Sequence, residues 1–145
     1  MDVIFLKTFK NLGLPPEMIA PFDEQIVSFS SDWVDSRGYV DLYTKFGEDD
    51  KQKTIKIRYL IADTETSYNL LLGRPSLNRL GGIVSTPHLR MKFLAENGKV
   101  ARVRAHQKIV RECYAASLKI PPRYKLRKKV IRRYIYDEII WIEIM

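Results

Sequence analysis

Hydrophobic and polar positions alternate in two runs near the middle of the chain. Val40, Leu42, Thr44 and Phe46 share one face of the first, opposite Tyr39, Asp41, Tyr43 and Lys45. Ile55, Ile57, Tyr59 and Ile61 alternate with Lys56, Arg58 and Leu60 in the second. A period of two is the mark of a strand. Ile26–Ser30 alternates more weakly, and Asp35-Ser36-Arg37-Gly38 has turn composition, so 26–46 is expected to form a hairpin closed at 35–38. Gly47–Lys53 is a charged turn into the second long strand, and Asp63–Ser67 a polar connection out of it. Leu70, Leu71 and Leu72 form a short continuous run, which suits a strand buried on both faces. Gly73 after it allows either positive φ or a close backbone approach. Pro75 then fits the first turn of a short helix with Leu77 and Leu80 on one side, and Gly81-Gly82 stop it.

The two ends read differently. Val3, Ile4, Leu6, Phe9 and Leu12 recur at helical spacing, so a helix is expected from the start to Gly13, with Asp2 as its only cap. After the helix, Ile83-Val84 begins a new β segment. Glu96-Asn97-Gly98-Lys99 predicts a hairpin turn of type I′ with a return strand at Val100–Ala105. Gln107–Ser117 reads as a helix, ended by Pro121-Pro122. The fold expected is mainly β, of the α+β class, with a domain over 1–105 and a helix plus basic, apolar tail over 106–145.

Charge sharpens that division. The chain carries +8, with 25 Lys and Arg against 17 Asp and Glu. Twelve of each sign fall in 1–94, and thirteen basic against five acidic in 95–145. Arg123, Lys125, Arg127, Lys128, Lys129, Arg132 and Arg133 form a cluster that could hold nucleic acid through phosphate contacts, nonspecifically and with strong salt dependence. The apolar run that follows, with Trp141, also suits a membrane surface, against which Asp137, Glu138 and Glu143 argue. No run of about 18 apolar residues exists, so no membrane span is expected. With a single cysteine, Cys113, neither an internal disulfide nor a cysteine zinc site can form. An intracellular location, cytoplasmic or nuclear, is the expectation.

The stretch Tyr68–Phe93, with Asn69, Gly73, Arg74, Leu77, Gly81, Ser85 and Phe93, resembles the protease segment of plant gypsy-type LTR retrotransposon polyproteins, a retropepsin-like aspartic protease. The resemblance extends from about Asp2 to Lys119. It implies a partial acid-protease β-barrel with one short helix after the Leu-Leu-Gly-Arg turn. It further implies a supporting turn at Asn69, Gly73 and Arg74, a substrate-covering flap hairpin at Ser36, Arg37 and Gly38, and dimerisation. The family's catalytic Asp-Ser/Thr-Gly occurs nowhere in the chain. By resemblance it would lie just before Met1, so the expected product is an inactive remnant.

An aspartic protease needs two carboxylates sharing a proton, one acting as base on water and the other as acid. No Asp here has a Gly two residues on, and Asp35 is read as a turn residue. His88 and His106 lack partners at ligand spacing, and Cys113 is read as an inert thiol. No catalytic residue, metal or cofactor is therefore assigned. Self-association through open strand edges is expected where the missing strands would have paired.

Overall fold

A computed structural model describes residues 1–22, 36–64 and 66–118. The expected strand at 26–30, Asp35 and everything after Leu118 lie outside them. The architecture is mixed α+β and mostly strand. Two sheets, both open, share one core.

The long hairpin forms as its alternation predicts. β2 (Ser36–Phe46) pairs antiparallel with β3 (Lys53–Ala62) from Ser36↔Ala62 to Phe46↔Lys53. Its inner positions Val40, Phe46, Ile57, Tyr59 and Ile61 are almost completely buried. Three of these are β-branched and three are consecutive alternate positions of β3, which fits a pleated half-buried surface. The turn expected at 35–38 is not there: Ser36, Arg37 and Gly38 already run in β2, with a register shift between Ser36 and Gly38. Gly38 has φ +124°, and a Cβ there would strike the Ala20 carbonyl, which pairs with Tyr39. The glycine serves a bulge and a close approach rather than a hairpin tip.

The N-terminus is the second correction. Asp2–Phe5 is a strand, β1, and only Leu6–Asn11 is helical, α1. β1 lies between β3, parallel to it (Asp2↔Tyr59 to Phe5↔Ala62), and the antiparallel β4 (Leu70–Leu71). The sheet order is β2-β3-β1-β4. Val3 and Ile4 match the helical spacing of Leu6, Phe9 and Leu12, but β-branched residues also suit a strand, and two waiting edges decide the matter.

From Gly73 the sequence reading holds closely. α2 (Arg74–Leu80) has Pro75 in its first turn and ends on Gly81 in the left-handed region. Lys53 Nζ donates to the Leu80 carbonyl at 2.9 Å, satisfying a terminal acceptor with a cation where the helix dipole favours one. The second sheet follows: β5 (Ile83–Ser85), β6 (Arg90–Leu94) and β7 (Val100–Arg104), in that order. Between β6 and β7 the turn is not type I′, since Asn97 does not have positive φ. Gly98 N donates to Ala95 O at 3.0 Å, Ala95 N donates to Lys99 O at 2.8 Å, and Gly98 has φ +79°. That is a type I turn closed by a glycine bulge, which Asn-Gly serves equally well. α3 (Gln107–Leu118) completes the described fold.

The inner faces of both sheets meet in a single cluster. Ile4, Phe9, Ile57, Tyr59, Leu72, Leu80, Met91 and Phe93 belong to it. Phe46 and Phe93 join the two sheets edge to face, with ring centroids 6.3 Å apart.

Candidate functional site

The resemblance points to the turn around Asn69–Arg74, and the fold places that turn against β1. Phe5 N donates to the Asn69 carbonyl at 3.2 Å. The Thr8 hydroxyl lies 3.4 Å from the Asn69 side-chain oxygen. Gly73 N donates to Asp2 Oδ1 at 2.8 Å, in a buried setting. Gly73 itself has ordinary negative φ, but a Cβ there would collide with the backbone of Met1. Of the two uses open to Gly73, close approach is the one realised. The turn therefore holds the first eight residues from one side, through two of its backbone groups and the Asn69 side chain. Arg74 opens α2 on the exposed side of the turn.

Asp2 is the residue the sequence reading undervalued. It is 7% exposed, and its carboxylate meets a backbone amide. A buried carboxylate needs such a donor, because leaving either group unpaired costs about 1–3 kcal/mol. The available signal was an acid set directly before Val-Ile-Phe. An acid at the head of a core strand is buried only with a partner.

Three of the other described aspartates, Asp41, Asp50 and Asp63, are held one by one. Asp41 accepts from Arg58 Nε at 2.8 Å and lies 3.3 Å from Lys56 Nζ. The Arg58 guanidinium beside it, opposed by partial burial and helped by Lys56, holds its carboxyl down from 3.8 to about 2. Asp63 pairs with Arg37 at 2.7 Å. Asp50 pairs with Lys99, whose ammonium holds its carboxyl below the usual range. Asp49 sits at φ +52° in the β2–β3 turn. Each of these pairs sets a carboxylate against a cation, the opposite of what a proton-sharing dyad requires.

An open cleft of about 420 Å³ lies between α1 and the connection after β3, lined by Phe5, Leu6, Lys7, Lys10, Asp63, Thr64 and Thr66. Among the described residues its one carboxylate is Asp63, already tied to Arg37. Those described residues offer no acid and base pair for activating water.

Other chemistry fares no better. His88 Nδ1 and Ser85 Oγ are 2.6 Å apart across the exposed β5–β6 turn, and among the described residues no acidic side chain bonds the ring. His106 Nδ1 accepts from Ile109 N at 3.4 Å at the start of α3. Cys113 is buried, with Sγ 4.0 Å from the Ser67 carbonyl. Burial, then Glu112, pushes its thiol up, away from the thiolate a nucleophile needs. Among the described residues no three His, Cys, Asp or Glu side chains gather as a metal group. None of the described helices is long and apolar enough to cross a membrane.

Of the residues singled out by resemblance, the structure brings Asn69 and Gly73 onto β1 and sets Ser36, Arg37 and Gly38 at the start of β2. Arg37 reaches Asp63 beside the end of β3. The cluster Arg123, Lys125, Arg127, Lys128, Lys129, Arg132 and Arg133 lies outside the described residues. The chain matches no protein-family model, no curated protein and no solved structure.

Proposed function

We propose that this chain carries the scaffold of a retropepsin-like aspartic protease without a working carboxylate pair, and that it does not hydrolyse peptides as it stands. One observation carries the reading: the Asn69–Gly73 turn grips Met1–Thr8 from beneath, the relation expected of a turn that supports a catalytic loop. The chemistry agrees, since Asp41, Asp50 and Asp63 are each paired with a cation and Asp2 accepts a hydrogen bond from an amide. The sequence contains no Asp-Ser/Thr-Gly to add a further acid. The test is hydrolysis of peptide substrates by the purified 145-residue chain across acidic to neutral pH, with and without pepstatin. No pepstatin-sensitive turnover is expected, and such turnover would overturn the proposal.

The same reading includes self-association through open strand edges. β5 supports it, as the outermost strand of its sheet with Ile83 and Val84 exposed. Size-exclusion chromatography should then give a species larger than one chain. A clean monomer at high concentration counts against it.

A further inference from the structure

The outer face of the β5-β6-β7 sheet gathers four cations, and its strands contain no acid. Arg90, Lys92 and Leu94 share that face of β6, and Val100, Arg102 and Arg104 that of β7; all six are exposed. The register sets Arg90 opposite Arg104 and Lys92 opposite Arg102. Like charges directly opposed across two strands are destabilising. Here two such pairs stand side by side, and β5, β6 and β7 contain no acidic residue. Among the described residues none of the four cations forms an ion pair. The β2–β3 pair does the reverse, setting Asp41 directly opposite Arg58. Charges directly opposed across β2–β3 thus differ in sign, while those across β6–β7 are alike.

We propose that this face binds the phosphodiester backbone of nucleic acid. Charge complementarity names the occupant. Cations two residues apart on a strand stand about 7 Å apart, and paired strands about 5 Å, so the four form a compact array for successive phosphates. Phosphates relieve the repulsion that the folded chain leaves standing. The remaining strand positions of the face are Leu94, Val100, Ile83 and Ser85, none of them aromatic, so no strand position offers a platform on which bases stack. Binding is therefore independent of sequence and strongly salt-dependent. A vesicle surface is the competing occupant, but three aliphatic side chains with no aromatic anchor give little to insert. The proposal is independent of the protease-scaffold reading and of the 123–133 cluster.

The experiment uses the full chain and a fluorescein-labelled mixed-sequence single-stranded DNA of about 20 nucleotides, long enough to span such a face. A matching duplex and phosphatidylserine vesicles are run in parallel. Three proteins are compared by anisotropy between low and moderate salt: the parent, R90Q/K92Q/R102Q/R104Q, and a protein with the seven 123–133 cations changed to Gln. The sheet variant should lose at least about tenfold in affinity at low salt, and its slope of log K against log salt should shrink by about 3, four lost contacts at about 0.7 each. The parent should bind DNA in preference to vesicles. Unchanged affinity and slope in the sheet variant would overturn the proposal, as would loss confined to the 123–133 variant. Vesicle binding without DNA binding would also overturn it. Should the fourfold variant fail to fold, K92Q/R102Q alone decides: its slope should shrink by about 1.4, and no change would overturn the proposal. R90K/R102K/R104K keeps the charge and must keep the binding.

Discussion

On the outer face of β2 and β3, Asp41 lies opposite Arg58, which also stacks over Tyr39 at 4.4 Å. On the outer face of β6 and β7, Arg90 lies opposite Arg104. The inner faces of both pairs are built alike, from alternate buried residues that meet at Phe46 and Phe93. The difference separates two uses of a sheet. The first has its acids engaged one at a time and its N-terminal strand locked by the Gly73 turn, so its polar groups serve the fold. The second leaves its cations without ion-pair partners among the described residues, so they are available to something else.

The contrast can be broken most forcefully from within. Phe93→Ala removes the ring that joins the two sheets and should cost about 3–5 kcal/mol in denaturant unfolding. A loss below about 1 kcal/mol would mean the sheets do not share a core. Asp2→Ala should cost about 1–3 kcal/mol, because the buried Gly73 amide is left without an acceptor. A neutral result would remove the turn's hold on β1.

Tyr59 sharpens the comparison through pH. Burial pushes its phenol up to about 12 from 10.0, against the hydrogen bond with Thr44 at 2.9 Å. A raised pKa favours the neutral form in the folded state. Its contribution is therefore present below about pH 10 and lost as pH rises toward about 12. Alkaline unfolding should move to higher pH in Tyr59→Phe, if that variant is otherwise stable enough to fold. No movement would show that Tyr59 does not govern the alkaline limb.

The smallest effect belongs to the surface. Asp41→Asn should cost under about 1 kcal/mol near neutral pH, as for solvent-screened pairs. Asp41 titrates low in the folded state, so its contribution is present above about pH 4 and lost as pH falls through about 2. The difference between parent and variant should vanish over that window.

Much of this was legible in the sequence. The β2–β3 alternation, the Pro75 helix start, the Gly81 stop and the β6–β7 hairpin follow from local composition and short-range spacing. What failed depends on partners distant in sequence. Val3 and Ile4 fit a helical period with Leu6 and Phe9, and only the edges of β3 and β4 make them a strand. Gly38 looks like a turn residue until Ala20 is seen against it. Asn97-Gly98 fits two hairpin turns, a two-residue I′ loop or a type I turn closed by a glycine bulge, told apart by the sign of φ at Asn97. Asp2 was visible as an acid, but its partner lies 71 residues away. The cation array of β6 and β7 needed the strand register, which composition alone does not supply.

The most direct test of the central claim, that the described carboxylates are held separately, is a carbon-detected NMR titration of the aspartate side chains in the intact chain. Asp41 should titrate alone near 2, and no two carboxyl groups should share a two-step curve. A pair titrating in two coupled steps, one of them displaced upward, would contradict it.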